Sequence, residues 1–432
     1  MFKKLFGTDG IRGEWGEIIT PELAFEIGKA VAIIFERKDE TNTIVVGRDT
    51  RLSGETLSGA LIAGMTSMGT NVVDLGIVPT AVVPFAIEKI KANAGIMITA
   101  SHNPANHNGF KFFNGNGFRI SEEQESHVEH IIANSSDFAP CSYDNLGKVS
   151  FDRTCLEAYE KLVKNELKAS KNLKIAFDCA NGASSEVVKE IFKDYNFEQI
   201  SATPNGLNIN SGCGAIHIDN LKNFMQKNNF DIGFSFDGDA DRVKVVLPGG
   251  EVVSGEDIIY NLTKYNCYNQ IVTTKMSNMA LSNQFEKEGI KCVIVGIGES
   301  EIISGLLENN ASFGGENNGH FLLLDKGKSS DGILVSAQIL SILSTNPTFS
   351  VPYKPYHQFD KAVSVKNKDD IMNNSFVQEK IELCESLLGE KGRILVRASG
   401  TEELIRILVE GEDDKLVDEI GAILENTVLK LA

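Results

Sequence analysis

Three aspartates at alternate positions, Asp237, Asp239 and Asp241, are separated only by Gly238 and Ala240 and are followed by Arg242. Small spacers let a tight loop turn all three carboxylates toward one cation. An all-oxygen donor set suits a hard ion such as Mg²⁺ better than zinc or copper. The spacing is not that of an EF-hand, because the sixth and twelfth positions counted from Asp237 are Arg242 and Pro248 rather than Gly and Glu. The competing reading is a solvated acidic turn. The location past an apolar run, Asp231 to Phe236, favours the metal, since functional loops of α/β sheets sit at strand carboxyl ends.

A second constellation, Thr99-Ala100-Ser101-His102-Asn103-Pro104, follows the apolar run that starts at Gly95. Ser101 there is either a nucleophile or phosphate acceptor with polar neighbours, or part of a plain polar turn. The GxSxG elbow of hydrolases is absent, and His102, adjacent in the chain, is awkwardly placed as a base. Lys111 stands among Phe110, Phe112 and Phe113. Burial would lower its pKa and make it a general acid or base, whereas a lysine snorkelling out of an apolar strand is the duller alternative. In Gly314-Gly315-Glu316-Asn317-Asn318-Gly319-His320, a carboxylate, two amides and an imidazole suit sugar hydroxyls, although Asn and Gly also make ordinary turns. Finally, Arg397-Ala398-Ser399-Gly400-Thr401 offers a guanidinium fork, two hydroxyls and a Gly-opened backbone, either a phosphate nest or a simple hairpin. Gly327-Lys328-Ser329 is no Walker A loop, because Leu322 stands where its first Gly belongs.

The elements that must carry these loops alternate along the chain. Thr20-Pro21 begins an amphipathic helix with Leu23, Ile27, Ala30, Val31 and Ile34 on one face. A strand from Thr43 to Val46, a helix near Glu55 to Met68 and strands at Asn71 to Leu75 and Gly95 to Thr99 follow. The alternation restarts at Lys174 to Phe177 and again at Gln270 to Thr273. This predicts three successive doubly wound α/β blocks, 1–150, 151–247 and 248–358, then a small α+β domain over 359–432.

Composition bounds the function. At 432 residues and about 150 per domain, a single binding module is excluded. A net charge of −17 would repel polyanions unless basic groups gather locally, which argues against nucleic acid and anionic membrane as partners. Seven scattered cysteines with no CxxC pair point away from a disulfide framework or zinc site and toward a cytoplasmic protein. Neither a signal-peptide pattern nor a run of about 18 apolar residues is present.

Together with Phe6-Gly7-Thr8-Asp9-Gly10-Ile11-Arg12-Gly13, these loops occur in an order that resembles the α-D-phosphohexomutases over essentially the whole chain. The resemblance implies four domains around a central cleft, each giving it one loop, and Ser101 carried as phosphoserine. It implies a Mg²⁺ ion held by Asp237, Asp239, Asp241 and an oxygen on Ser101, with Arg12 and Arg242 assisting the transfer. His102 would belong to the same catalytic loop, and Lys111 and His320 would be the proton-transfer groups. Glu316 and Asn318 match positions that hold sugar hydroxyls. Arg397, Ser399, Gly400 and Thr401 match the loop gripping the phosphate that is not transferred. The implied substrate is a phosphorylated hexosamine feeding amino-sugar and cell-wall precursor synthesis, with phosphomannose or phosphoglucose as the rival, and the implied assembly is a homodimer. An aspartyl-phosphate enzyme and a lapsed sugar-phosphate binder are the readings from other classes. The chain departs from the family pattern at Asn318, where Ser is usual, at Ala398 and Glu403, where Pro is usual, and at His107, where Asp is usual. It also departs at Glu299-Ser300, where an Arg usually follows the acid. These departures bear on sugar choice.

Overall fold

The computed structural model describes residues 4–7, 9–37, 41–344, 346–399 and 403–432. The chain divides into two compact units: Met1–Met276 with Val293–Ser350, and Ser277–Cys292 with Val351–Ala432.

In the first unit, the apolar runs Thr43–Arg48, Asn71–Ile77 and Ala94–Ile98 pair in parallel, with Val149–Phe151 on the outer edge. On the other side, His107–Asn114, Gly10–Glu14 and Phe6–Gly7 extend the sheet antiparallel. The expected alternation therefore holds, and the antiparallel half is an addition that places Lys111 beside the Ser101 strand and Arg12 one strand further out. Period-2 geometry divides the side chains. Ile44, Val46, Ala94, Ile96 and Ile98 enter a core with helices Pro21–Ile34 and Ser53–Ser67, while Gly47 and Gly95 lie against Val83 of helix Val82–Ile90. The first helix starts where its sequence says it should, with Thr20 capping Leu23 N at 3.2 Å and Pro21 in the first turn. The two helices of this face cross at Gly28 and Gly64. A Cβ on Gly64 would come within 2.1 Å of Phe25 O, so the crossing distance is set by the missing side chains.

The second block repeats the scheme on a smaller scale. Ile232–Phe236 runs parallel to Lys174–Asp178, which pairs with Asn196–Ile200, and Val243–Val246 closes the other edge antiparallel. In the third, Gln270–Thr274 runs parallel to Phe313–Gly315, which turns back through the Glu316 loop into Phe321–Leu323. The second unit holds an antiparallel sheet, His357–Ser364, Leu404–Gly411 and Gly392–Ala398, with a core of its own shared with helices Ser375–Leu388 and Asp414–Leu429. Helix Met279–Lys287 belongs to this unit as well, and Met279 N–H donates to Glu410 Oε1 at 2.9 Å. Among the described residues no helix is long and apolar enough to cross a membrane.

Candidate active site

The strand Ala94–Ile98 ends in a turn in which Ser101 takes φ +50°, the left-handed region that costs a non-glycine residue about 1–2 kcal/mol. That turn meets the loop after Ile232–Phe236, and Gly238 permits the approach: a Cβ there would stand 2.8 Å from Ser101 O. Ser101 is fully buried, and its Oγ donates to Asp237 Oδ2 at 2.7 Å, with His102 Nδ1 3.2 Å from the same oxygen. Burial and then Arg242 hold the His102 imidazole down near pKa 4, so the ring is neutral at physiological pH.

Asp237, Asp239 and Asp241 are all buried, and one oxygen from each lies within 4.8 Å of the others. Thr80 Oγ1 donates to Asp239 Oδ2 at 2.6 Å, while Asp239 Oδ1 is buried with no hydrogen-bond partner. Burial, Asp241 and Asp239 together push Asp237 well above the usual carboxylate range. Converging buried acids, an orphaned carboxylate oxygen and an all-oxygen donor set fit a metal ion, which would relieve the crowding that raises Asp237. The solvated-turn alternative fails, because none of the three carboxylates is exposed.

Lys111 requires a correction. It does not snorkel; it is fully buried, its Nζ 2.7 Å from Asp239 Oδ2, 3.7 Å from Asp9 Oδ2 and also paired with Asp241. Burial does act to lower its pKa, as the sequence suggested, but Asp239 and Asp241 outweigh it and drive the ammonium above its ordinary value. Lys111 is thus a fixed cation rather than a neutral amine.

Arg242 and His320 come together across a bridge between the aspartate loop and the Glu316 loop. Arg242 Nε–H lies 3.0 Å from His320 Nε2, and Asp241 Oδ1 lies 3.3 Å from the same nitrogen. Nε2 serves one neighbour at a time: unprotonated it accepts from Arg242, protonated it donates to Asp241. Burial and Arg242 disfavour the charged ring, but Asp241 and Glu316 overcome them and lift it to about 9. Glu316 Oε2 receives His320 Nδ1 and Asn318 Nδ2, each at 3.2 Å, and its Oε1 accepts from Gly298 N–H at 3.1 Å. Burial works against its ionisation, but these donors, His320 foremost, hold it below the ordinary glutamate value.

Arg12 pairs with Asp9, and its buried Nε has no hydrogen-bond partner. The structure thus brings Ser101, His102, Lys111, Arg12, the three aspartates, Arg242, Glu316, Asn318 and His320 into one connected network. Arg397 and Ser399 lie in the second unit, at the end of Gly392–Ala398; Ser399 is buried and its N–H donates to Leu404 O at 2.9 Å. Gly400 and Thr401 lie outside the described residues.

Sequence reasoning missed several members of the network. Arg119 pairs with Asp9 and reaches Glu299 at 3.6 Å, so an arginine from the first block stands by the acid after which the family pattern would have supplied one. Asp49, Arg51 and Thr80 follow strands of the first sheet, and the strand-end rule would have flagged them. Asn210 carries no sequence signal.

A buried serine beside an aspartate cage, backed by fixed cations and a histidine–glutamate pair on a neighbouring loop, is an arrangement suited to metal-assisted phosphoryl transfer. The chain belongs to the phosphoglucomutase/phosphomannomutase family: its α/β/α domain I model matches residues 3–138, domain II 156–250, domain III 254–358 and the C-terminal domain 361–426. Among its relatives, phosphoglucosamine mutase of Carboxydothermus hydrogenoformans is 38% identical, covering 98% of this chain and 99% of the relative. The phosphoglucosamine mutase of Geobacillus kaustophilus is 36% identical, over 95% of each. A phosphoglucomutase/phosphomannomutase family protein from Burkholderia thailandensis shares the fold with TM-score 0.85 at 24% identity, covering 100% of this chain and 98% of that one. Aspergillus fumigatus N-acetylphosphoglucosamine mutase, solved in complex with GlcNAc-6P and magnesium, superposes with TM-score 0.68 at 17% identity over 99% and 96% of the two chains.

Proposed function

We propose that this enzyme interconverts glucosamine 6-phosphate and glucosamine 1-phosphate through phosphorylated Ser101 and a 1,6-bisphosphate intermediate, with Mg²⁺ as its ion. The observation that carries the reading is Ser101 Oγ, buried and 2.7 Å from Asp237 in the three-aspartate loop. In the forward direction the Oγ–P bond of phosphoserine breaks as an O1–P bond forms; a base takes the O1 proton and a proton is returned to the leaving Oγ. The bisphosphate then presents its other end, the O6–P bond breaks with a proton delivered to O6, and the Oγ–P bond is restored as the Ser101 hydroxyl gives up its proton. His320 is the base we favour, because its Nε2 has a partner in either protonation state; held near 9 by Asp241 and Glu316, the ring must give up its own proton before it takes that of O1. Lys111 and Arg242 remain charged and oppose the negative charge that builds on the transferring group. Asp237, Asp239, Asp241 and the Ser101 oxygen would hold Mg²⁺, which supplies Lewis-acid stabilisation of the phosphoryl oxygens. Glu316 and Asn318 are assigned to the sugar hydroxyls.

The hairpin with Arg397 and Ser399 is assigned to the phosphate at rest, Gly400 and Thr401 being included on the family resemblance. Arg397 sits directly opposite Arg406 in the strand register. Burial and then Arg406 lower the Arg397 pKa, a like-charge pairing that an arriving dianion would relieve. With seven unbridged cysteines and a phosphorylated metabolite as substrate, we infer a cytoplasmic enzyme, and we expect a homodimer, read by light scattering.

The decisive experiment loads the protein with a hexose 1,6-bisphosphate and compares turnover of glucosamine, glucose and mannose 6-phosphates, with mass spectrometry of the Ser101 peptide. Preference for glucosamine 6-phosphate and acid-stable phosphate on Ser101 are expected. Preference for glucose or mannose 6-phosphate would transfer the enzyme to the rival substrates, and phosphate on an aspartate would overturn the mechanism.

A further inference from the structure

We propose that Arg51 is the positioning residue of the phosphoryl carrier: its guanidinium gathers the carbonyls of the serine turn and so fixes the left-handed backbone that aims Ser101 Oγ at the aspartate loop. This deepens the reading above and rests on it.

Arg51 lies just past strand Thr43–Arg48 and is 3% exposed. Each of its five N–H donors is used. Nε donates to Asp49 Oδ2 at 2.9 Å, Nη1 to His107 O at 2.9 Å and to Pro104 O, and Nη2 to Asn103 O at 2.8 Å and Ser101 O at 3.0 Å. Four carbonyls spread over seven residues thus converge on one planar cation. The same cluster ties down the serine from its other side: Asp49 Oδ2 accepts from Thr99 Oγ1 at 2.7 Å, and Thr99 Oγ1 accepts from Ser101 N–H at 2.9 Å. Asn210, from the second block, adds donors to Ser101 O at 2.8 Å and Asn103 O at 3.0 Å.

Two consequences follow from this geometry. Asp49 offsets the Arg51 charge, so the guanidinium acts on the turn's carbonyls rather than as a counter-ion for the phosphate. With its carbonyl drawn inward, Ser101 holds φ +50° and its hydroxyl points the other way, toward Asp237. The shape of the guanidinium matters beyond its charge, because an ammonium has three donors on one atom and cannot span four carbonyls and a carboxylate.

The test uses the full chain with Mg²⁺, primed with hexosamine 1,6-bisphosphate, and two substitutions: Arg51→Lys, which keeps the charge, and Asn210→Gly, which removes the second clamp at a position whose φ of +58° suits glycine. Readouts are kcat and KM for glucosamine 6-phosphate per folded molecule, the rate of phosphate uptake on Ser101 by intact mass, and the thermal midpoint. Arg51→Lys is expected to lower kcat and phosphate uptake by about 10²-fold with KM within about 2-fold of wild type, the size a misplaced reacting group produces. Asn210→Gly is expected to lower both about 10-fold by the same misplacement. A folded Arg51→Lys protein with wild-type kcat, or a loss confined to KM or to the thermal midpoint, overturns the proposal. Should Arg51→Lys fail to fold, Asn210→Gly decides alone, and an unchanged kcat there overturns it. Wild-type protein that phosphorylates Ser101 yet turns over no hexose phosphate would defeat the mutase reading while leaving the clamp to stand or fall on uptake rates; no uptake at all defeats both.

Discussion

The turn that carries Ser101 and the hairpin that carries Arg397 are both loops at strand ends, assigned to two phosphates of one substrate, and they are built in opposite ways. Around Ser101 the charges are buried or nearly so and each cation has an acid: Lys111 has Asp239 and Asp241, Arg51 has Asp49, and the partly exposed Arg12 and Arg119 share Asp9. Around Arg397 its own strand is half-exposed, and the ladder sets one arginine opposite another. A balanced, dry network keeps its geometry before substrate arrives, which is what in-line transfer needs. Two guanidiniums facing each other across the ladder, with Asp360 offsetting Arg397 only in part, would gain counter-charge from a bound dianion, which would suit a grip that binds and releases. On the proposed function, the first region would serve the transition state and the second binding.

On that contrast, substitutions in the first region are expected to act on kcat and those in the second on KM. Ser101→Ala should show the largest effect, a loss of at least about 10³-fold in mutase activity and no phosphate on the protein, with the fold intact by circular dichroism. Activity within tenfold of wild type would remove serine as carrier. Next, Asp239→Asn should cost about 10²-fold in kcat and raise the Mg²⁺ concentration for half-activity, and chelation of wild type should abolish turnover until Mg²⁺ is restored. An unchanged metal titration would break the aspartate cage as a metal site. Arg397→Ala should raise KM about 10- to 100-fold, the worth of a charged hydrogen bond, with a smaller change in kcat and a thermal midpoint no lower than wild type. A drop in kcat alone would erase the division between the two regions.

The smallest effect tests the scaffold behind the metal loop. Asp331 caps helix Gly332–Leu343 through Ile333 N–H and Leu334 N–H and accepts Tyr159 Oη at 2.8 Å, and burial raises its pKa to about 6. Gly332 N–H in turn donates to Ala240 O inside the aspartate loop at 3.0 Å. A buried carboxyl that holds its proton to higher pH in the folded state than in the unfolded chain stabilises the fold below about pH 4. That contribution is lost as pH rises through about 6. Asp331→Asn keeps the cap and can donate to Tyr159, so it should flatten this slope and gain about 1–2 kcal/mol at pH 7 in urea unfolding. Equal stability-pH curves for the two proteins would refute the buried-acid assignment.

Much of this was legible in the chain. Thr20-Pro21 announced a helix that starts there, the apolar runs at 43, 71, 94, 174, 232 and 270 are strands, and the loops bearing Ser101 and Asp237 leave strand ends as expected. Local signals of this kind rest on period, caps and small residues, which act within a few positions of one another. The antiparallel half of the first sheet was not legible, because nothing local tells an apolar strand which direction its neighbour runs.

Lys111 marks the boundary most clearly. Its aromatic neighbours left burial and snorkelling both open; the fold decided for burial, and burial alone foretells a lowered pKa. The sign reversed because Asp239 and Asp241, some 130 positions away, surround the ammonium. Arg51 is similar: its residue type is visible in the chain, but the four carbonyls that define its place are brought to it only by folding. Residue types and spacing by themselves determined which groups could do chemistry and which elements would carry them. Tertiary structure decided which charges meet, and in a buried, low-dielectric site that meeting sets protonation and geometry more strongly than any residue's intrinsic chemistry.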